Sequence, residues 1–260
     1  MVKRLLTISL LWSVFAWAYP QQGMNIQTDV QIGIDEHLGE YLPEDIELVD
    51  IDGNKVLLKS LLDKATIVNF VYYRCPGICT PLMDAIAEVV NLSDMELGKD
   101  YQVITISFDP SEGPELAKRK RNNYSLLVKK DGMEKGWRFF TADSINVSKA
   151  TNAAGFKYKR TGNDFIHSAS LIFVSPDGKI TRYLNGTYFL PFELKLAVVE
   201  TSKGQVGGTV NKILKFCYSY DPSGKSYVMN VTKISATLMI FTALIVLAIL
   251  MVKPRKKTNP

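Results

Sequence analysis

Residues 66–81 of this 260-residue chain read Thr66-Ile67-Val68-Asn69-Phe70-Val71-Tyr72-Tyr73-Arg74-Cys75-Pro76-Gly77-Ile78-Cys79-Thr80-Pro81. The apolar, β-branched run Thr66–Tyr72 predicts a buried strand. The spacing of apolar residues then predicts a helix over Pro81–Leu92, with Thr80 as its N-cap. Cys75 and Cys79 therefore lie in the turn between a strand and a helix N-terminus. Such a pair can form a small disulfide or bind a soft metal ion between two thiolates.

Strands and helices alternate on both sides of this turn. The sequence predicts further strands over 101–108, 137–141, 168–174 and 179–184, and helices over 112–130, 144–153 and 192–201. A hairpin is predicted ahead of them, between 47–51 and 55–58. This order predicts an α/β fold, a thioredoxin-like sandwich with an N-terminal hairpin. We expect the domain to span residues 44–202, behind a polar lead-in strap at 19–43.

The two ends of the chain predict export and membrane attachment. Residues 1–18 combine a basic start, an apolar stretch and a small-x-small motif, as in a signal peptide; left uncut, they would be an N-terminal anchor. Residues 234–252 carry no charge and are long enough to span a bilayer as a helix. The basic tail, 253–260, then lies in the cytoplasm by the positive-inside rule. We therefore expect a single-pass inner or cell membrane protein, with a juxtamembrane linker at 203–233 and its domain on the periplasmic side.

The net charge of +5 does not indicate a nucleic-acid partner. Six of the 31 basic residues lie at the two ends, where there is no acidic residue, which leaves 25 basic against 26 acidic residues in between. The basic character therefore belongs to targeting and topology rather than to a phosphate-binding face. No nucleic acid is expected among the partners.

The cysteines indicate chemistry rather than a structural framework. Three cysteines in an exported domain of this size do not make a disulfide scaffold. A helix N-terminus near Cys79 would lower thiol pKa values, and thiolates with an imidazole suit Cu(I). His167, in the loop that enters the last hairpin, is predicted to join Cys75 and Cys79 in a Cys₂His site. The other histidine, His37, is expected on the surface of the strap, far from that site.

Together these residues resemble the Sco/SenC family, thioredoxin-like copper chaperones of respiratory membranes. The resemblance covers about Ile32 to Thr201, in the motifs Gly33-Ile34-Asp35-Glu36-x-Leu38-Gly39, Cys75-Pro76-x-x-Cys79, Ile106-Ser107-Phe108-Asp109-Pro110 and His167-Ser168-Ala169 before Asp177-Gly178-Lys179. It implies that Cys75, Cys79 and His167 bind copper, as Cu(I) with Cu(II) left open. It also implies delivery to the dinuclear copper site of cytochrome c oxidase. The implied partners are the copper-binding subunit of that oxidase and an upstream copper donor or thiol reductant.

Asp109 and the arrangement of anchors leave alternatives open. Asp109 matches an acidic position that the family places near the metal loop, where it would tune the site or the partner contact. Alternatively, Asp109-Pro110 only ends a strand and caps the next helix. Many family members hang from one N-terminal anchor, whereas this chain is predicted to have a leader and a C-terminal anchor. The client enzyme therefore stays open.

The same dithiol would also serve a thiol–disulfide reductase that keeps the copper-site cysteines of an oxidase subunit reduced. The three-residue spacer and His167 favour the copper chaperone, and enzymatic activity beyond thiol–disulfide exchange is not expected. The Pro-x-x-x-Thr/Ser-x-x-Cys pattern of peroxiredoxins is absent from the sequence. Cys217 is interpreted as a buried thiol, an intermolecular partner or a resolving thiol. Neither Cys217 nor Met229 is assigned to the site.

Overall fold

The computed structural model describes residues 32–162, 164–207, 218–221, 226–229, 235 and 239–245. In chain order its elements are β1 (Gly33–Ile34), β2 (Glu47–Val49), β3 (Lys55–Leu57), a 3-10 turn (Leu58–Leu61), β4 (Ala65–Val71), α1 (Cys79–Leu92), β5 (Tyr101–Ser107), α2 (Pro114–Ser125), α3 (Met133–Gly136), β6 (Trp137–Phe140), α4 (Ser144–Ala153), β7 (Phe156–Thr161), β8 (Asp164–His167), β9 (Ser170–Val174), β10 (Ile180–Asn185), α5 (Pro191–Ser202), β11 (Tyr218–Asp221) and β12 (Ser226–Met229). The predicted alternation of strands and helices is therefore present, and it forms a thioredoxin-like α/β fold.

A five-stranded sheet in the order β10-β9-β4-β5-β6 forms the centre of the domain. Strands β4, β5 and β6 are parallel to one another, whereas β9 and β10 run against them. Every residue of β4 and of β5 is buried, as expected for parallel strands covered on both faces. We call the edge at which β4, β5 and β6 end the upper edge, and the opposite one the lower edge. The loops that follow β4 and β5 therefore meet at the upper edge.

A buried chain of polar side chains crosses the two central strands. The indole Nε1 of Trp137 donates to Oγ1 of Thr105 (2.8 Å), and that hydroxyl donates to Oδ1 of Asn69 (2.8 Å). All three residues are fully buried. Because a buried donor without a partner is costly, this chain of bonds fixes β6 against β5 and β5 against β4.

A second, three-stranded sheet in the order β1-β7-β8 is absent from the sequence-based prediction. His167 was expected in a loop ahead of a strand starting at 168; instead it ends β8 and pairs with Tyr158 of β7. The strand β7 was not predicted because its basic residues looked exposed. Phe156 and Tyr158 alternate with Lys157, and their rings pack against Phe108. Pairing with β7 therefore fixes the backbone at His167.

Two predicted helix starts are wrong by a few residues. Helix α1 begins at Cys79 with Ile78 as N-cap, so Thr80 lies inside the first turn and does not cap it. Pro81 still fits there, because the first-turn N–H groups have no intrahelical partner. Helix α2 begins at Pro114 after Gly113, which leaves Glu112 outside the helix.

The described part of the lead-in strap is tied to the domain. The backbone N–H of Asp35 donates to the carbonyl oxygen of Gly155 (2.8 Å). Gly155 has a φ of +61°, and a Cβ there would lie 1.7 Å from the carbonyl oxygen of Asp35, so no side chain fits. His37 is not the surface residue that was expected: its side chain is 28% exposed, and Nδ1 lies 3.0 Å from the carbonyl oxygen of Ala153.

The segment expected to be a linker, 203–233, contains the antiparallel hairpin β11–β12. The predicted signal peptide at 1–18, Cys217, the basic tail and most of 234–252 lie outside the described residues. Among the residues described, no helix combines the length and the apolar character needed to cross a bilayer.

We predict that Thr105→Val will destabilise the domain by at least about 2 kcal/mol. Valine removes the hydroxyl but keeps the volume, so the indole N–H of Trp137 and Oδ1 of Asn69 lose their partner in the core, at about 1–3 kcal/mol each. Chemical denaturation measures the change. The control, Thr105→Ser, keeps the hydroxyl and should cost only about 1 kcal/mol for the lost methyl group. Equal costs for both variants would contradict the prediction.

Candidate metal centre

The loop after β4 folds back so that its backbone points at sulfur. The backbone N–H of Cys75 donates to the carbonyl oxygen of Tyr72 (3.1 Å), which closes a tight turn. The N–H of Gly77 lies 3.3 Å from Sγ of Cys75, and the N–H of Tyr72 lies 3.5 Å from Sγ of Cys79. Backbone donors aimed at sulfur favour its ionised form, so the loop suits thiolate chemistry.

The buried side chain of Glu112 holds this loop in place. Oε2 of Glu112 accepts from the backbone N–H of Tyr73 (2.6 Å) and from the hydroxyl of Ser107 (2.6 Å). Oε1 accepts from the backbone N–H of Arg74 (2.8 Å) and from its Nε (3.3 Å). The side chain of Glu112 has no solvent exposure. Its carboxylate therefore joins the end of β5 to the residues immediately before Cys75.

The two thiols lie in different environments. Both are free; Cys79 is buried, whereas Cys75 is half-buried. A hydrogen bond from the Cys79 thiol, with smaller contributions from the backbone N–H groups of Cys79 and Gly77, lowers the pKa of Cys75 to about 4. The same hydrogen bond and burial raise the pKa of Cys79 far above its usual value. These shifts favour the thiolate at Cys75 and the protonated thiol at Cys79.

His167 directs one ring nitrogen at the thiols. Nε2 lies 3.2 Å from Sγ of Cys79, and Nδ1 lies 2.9 Å from the carbonyl oxygen of Ser168. A carbonyl oxygen can only accept, so Nδ1 carries the proton in the neutral ring and Nε2 presents a lone pair. A bond of this kind orients metal-binding histidines. The rings of Tyr72 and Phe108 contact His167 edge-on, with centroids 5.9 and 5.1 Å from its own.

The three predicted ligand residues come together. One ligand atom from each of Cys75, Cys79 and His167 lies within 4.8 Å of the other two. Metal–thiolate bonds of about 2.3 Å and metal–imidazole bonds of about 2.0 Å allow two ligand atoms on one ion to be at most about 4.6 Å apart. A small shift of the half-buried Cys75 would therefore bring all three onto one ion. Two soft sulfurs and one imidazole suit Cu(I) or Zn²⁺ and are unsuited to Mg²⁺ or Ca²⁺.

Asp109 is linked to the loop of the thiols through Arg74. Its Oδ2 is 3.4 Å from a guanidinium nitrogen of Arg74, the residue before Cys75, and Oδ1 accepts from the backbone N–H of Ser111 (3.0 Å). The carboxylate thus closes a turn after β5, and it does not cap α2, whose N-cap is Gly113. The predicted cap on the next helix is therefore wrong, and a role of Asp109 in tuning the site or the partner contact stays a prediction. The carboxylate does help to hold Arg74 at the loop.

Sequence reasoning missed Glu112 and the phenol of Tyr72. The hydroxyl of Tyr72 lies 3.4 Å from Oδ1 of Asp164. Burial raises the pKa of Tyr72, and a hydrogen bond with Cys75 raises it further. A protonated phenol can donate to a neighbouring thiolate. The signal for Glu112 was its place two residues before α2, in Asp109-Pro110-Ser111-Glu112, which looked like the charged start of an exposed helix.

The fold and the site define a thioredoxin-like protein with a Cys-x₃-Cys dithiol and a facing histidine. The SCO1/SenC family profile matches residues 35–196, and the chain belongs to that family. A curated relative, the SCO1 protein homolog of Bacillus subtilis (strain 168), is 29% identical over 147 residues, which cover 55% of this chain and 72% of the relative.

Solved structures share the fold. A putative electron transfer protein from Aquifex aeolicus VF5 is 32% identical, with a TM-score of 0.58 over 65% of this chain and 95% of its own. Copper-bound ScoI of Arabidopsis thaliana shares the fold at 18% identity, with a TM-score of 0.51 over 64% of this chain and 99% of its own.

We predict that Glu112→Gln will loosen the metal loop. An amide has one accepting oxygen where the carboxylate has two, so at least one buried donor loses its partner, at about 1–3 kcal/mol. Hydrogen exchange should become faster at the amides of Tyr73 and Arg74, and the free energy of unfolding should fall. Glu115→Gln, an exposed acid in the first turn of α2, is the matched control and should change neither quantity. Unchanged exchange at both amides would show that Glu112 does not hold the loop.

We predict that Cys75 reacts with iodoacetamide much faster than Cys79 at pH 6. The lowered pKa of Cys75 keeps its thiolate populated at every pH above about 4, whereas the proton on Cys79 is retained. Peptide mass spectrometry of the reduced chain with Cys217→Ala measures both rates. Cys79→Ala removes the largest cause of the shift, so the pH dependence of Cys75 alkylation should move up towards the usual thiol range near 8.5. A profile that stays low in Cys79→Ala would assign the shift to the backbone instead.

Proposed function

We propose that this chain is a membrane-tethered copper-binding chaperone that delivers copper to the dinuclear copper site of cytochrome c oxidase. The observation that carries the proposal is the convergence of Cys75, Cys79 and His167, whose ligand atoms lie within 4.8 Å of one another. Membership of the SCO1/SenC family supports the same reading. Copper is the cargo of the site, and the donor set of two sulfurs and one imidazole is the one that Cu(I) prefers.

The two cysteines have separate tasks in this proposal. Cys79 is buried at the first residue of α1 and receives the N–H of Tyr72, so it keeps its position. Cys75 is half-buried at the open side of the loop, where the thiolate of a partner can reach the same ion. Transfer then proceeds by exchange of sulfur ligands at Cys75, while His167 and Cys79 hold the ion.

Loading is gated by the redox state of the dithiol. Two reduced cysteines bind copper; oxidation to a disulfide removes two electrons, joins the sulfurs and leaves no thiolate ligand. The electrons pass to an oxidised thiol pair or another two-electron acceptor, and an upstream thiol reductant restores the dithiol. A small loop held by Glu112 keeps both sulfurs in reach of each other, which supports this gating.

The proposal places the domain on the periplasmic side of the inner or cell membrane. The support is in the sequence: the uncharged stretch 234–252, the basic tail 253–260 and the leader at 1–18 agree on one orientation. Sec-dependent export followed by a topology reporter fused at each end would test it, and a periplasmic C-terminus would contradict it.

A thiol–disulfide reductase is the second candidate. The observation in its favour is the difference between the thiols, because a low-pKa, accessible Cys75 beside a protonated, buried Cys79 also describes an attacking and a resolving thiol. Its client would be the copper-site cysteines of an oxidase subunit. Reduction of such a client by the metal-free chain at a useful rate would favour this function.

We predict that the reduced chain binds one Cu(I) tightly in competition with a chelator. Cys75→Ser and Cys79→Ser should abolish tight binding. His167→Ala should weaken it by at least about tenfold, because loss of a mere supporting partner of a metal ligand already costs about 10–100-fold. His37→Ala is the matched control: the second histidine lies in the strap with its ring against the carbonyl oxygen of Ala153, and its loss should leave the affinity unchanged.

The outcomes separate the two candidate functions. Tight binding that survives His167→Ala unchanged would remove the histidine from the site. The absence of tight copper binding, together with rapid thiol–disulfide exchange, would overturn the chaperone and leave the reductase.

A further inference from the structure

The side chain of Tyr72 lies where the loop of the thiols meets the hairpin that carries His167. Tyr72 follows β4, and its backbone contacts both cysteines: the N–H lies 3.5 Å from Sγ of Cys79, and the carbonyl oxygen accepts from the N–H of Cys75 (3.1 Å). The residue is only 4% exposed. Its hydroxyl is not among the three metal-binding groups, and the steps proposed above do not use it.

Three rings hold the phenol of Tyr72 in place. Its centroid lies 5.5 Å from that of Phe108, 5.2 Å from that of Phe165 and 5.9 Å from that of His167, and each contact is edge-on. Packing on several sides fixes the plane of a buried ring. The hydroxyl oxygen therefore keeps its position, and only the direction of its O–H bond can change.

The hydroxyl has more acceptors than it has protons. Oδ1 of Asp164 lies 3.4 Å from the hydroxyl oxygen, and Cys75 is a second hydrogen-bond partner. The backbone N–H of Phe165 donates to the same oxygen and so does not compete for the proton. Because a phenol has a single O–H donor, it can serve either the carboxylate of Asp164 or the sulfur of Cys75, but not both at once.

The two acceptors respond differently to the state of the dithiol. Asp164 is exposed on β8, so its carboxylate is the same acceptor in every state, and water can replace the phenol there. The sulfur of Cys75 is half-buried, and as a thiolate it accepts a charge-assisted hydrogen bond. In a disulfide with Cys79 the same sulfur is uncharged and a weak acceptor. The preferred direction of the O–H therefore depends on whether Cys75 is reduced.

We propose that Tyr72 is a positioning residue whose hydroxyl donates to Sγ of Cys75 in the reduced, metal-free site and turns to Asp164 once that sulfur is bonded to Cys79. The inference deepens the redox gating described above and rests on that proposed function. The bond stabilises the dithiol relative to the disulfide, so it favours the form that can take up copper. Oxidation still removes two electrons and the thiol protons, which pass to the disulfide that serves as oxidant.

The equilibrium of the dithiol with reduced and oxidised dithiothreitol at pH 7 tests the bond. Tyr72→Phe keeps the ring and removes only the hydroxyl, so it should shift the equilibrium about tenfold towards the disulfide, a fall of about 30 mV for a two-electron couple. Alkylation and peptide mass spectrometry of the full chain with Cys217→Ala measure the two forms. Tyr124→Phe is the matched control, because it also removes a buried hydroxyl bonded to a carboxylate, Oδ1 of Asp84 (3.0 Å), and should leave the equilibrium unchanged.

Asp164→Asn tests the competition for the proton. Loss of the carboxylate leaves the O–H to Cys75 and also removes a negative charge near its thiolate, so both effects should favour the dithiol. Only the first effect needs the phenol, so the shift caused by Asp164→Asn should be several-fold smaller in the Tyr72→Phe background than in the parent chain. An equal shift in both backgrounds would show that Asp164 acts by its charge alone, and it would overturn the switch.

The remaining outcomes separate the bond from the proposed function. An equilibrium that Tyr72→Phe leaves unchanged or moves towards the dithiol, or an equal shift in Tyr124→Phe, would overturn the bond. The measurement needs no copper, and Cu(I) titration of the parent chain is read independently. If the parent binds no copper tightly but Tyr72→Phe shifts the equilibrium as expected, the chaperone fails and the bond stands. If copper binds tightly without such a shift, the bond fails and the chaperone stands.

Discussion

The carboxylate of Glu112 is the constraint on which the arrangement of the site depends. A buried carboxylate is stable only when its oxygens are occupied, and here four donors occupy them. Two of those donors are consecutive backbone N–H groups of Tyr73 and Arg74. Because the carboxylate would be left unsatisfied if the loop moved, the position of Cys75 is linked to the end of β5. Parallel pairing of β4 with β5, from Ala65 opposite Tyr101 to Val71 opposite Ser107, brings the two together.

Packed aromatic rings hold His167 in position, as Glu112 holds the loop of Cys75. The ring of Phe108, fully buried, lies within 5.5 Å centroid to centroid of Tyr72, Phe156, Tyr158, Phe165 and His167. Phe108 follows β5 directly, so the segment after that strand supplies both the carboxylate of Glu112 and the support of the imidazole. In the neutral ring the nitrogen that carries the lone pair, Nε2, faces the thiols. The bond from Nδ1 to the carbonyl oxygen of Ser168 sets which nitrogen that is.

The parts of the fold whose apolar residues follow a simple periodic pattern could be predicted from the sequence. Buried strands such as β4 and β5 are continuous apolar runs, and α1 repeats its apolar residues at helical spacing, so their bounds could be predicted to within two residues. The convergence of Cys75, Cys79 and His167 was predicted from two loops meeting at one edge, and it is present although His167 ends β8 instead of lying in a loop. Their role as ligands stays a prediction.

Other features depend on contacts between residues far apart in the sequence. The hairpin β7–β8 carries Lys157 and Lys159 between its aromatic residues, and only the rings packed on Phe108 show that one face is buried. Glu112 stands where charged residues usually begin an exposed helix, and its partners Tyr73 and Arg74 are nearly 40 positions away. No local pattern encodes such a bond. Exposure and packing had to be seen in three dimensions.

The separation of the two ends follows from the same sheet. Parallel strands place every loop that follows them at the upper edge, so the chemistry is gathered there, and the helices return the chain to the lower edge. The lower edge carries the end of α1 and the bond from the N–H of Gly207 to the carbonyl oxygen of Thr181, and it holds none of the three residues of the metal centre. In the proposed function Cys75 exchanges sulfur ligands with a partner, so its side of the loop has to stay uncovered, whereas a contact at the lower edge would leave the site unchanged. The proposed membrane attachment is therefore compatible with the proposed chemistry when it restrains the domain from the lower edge.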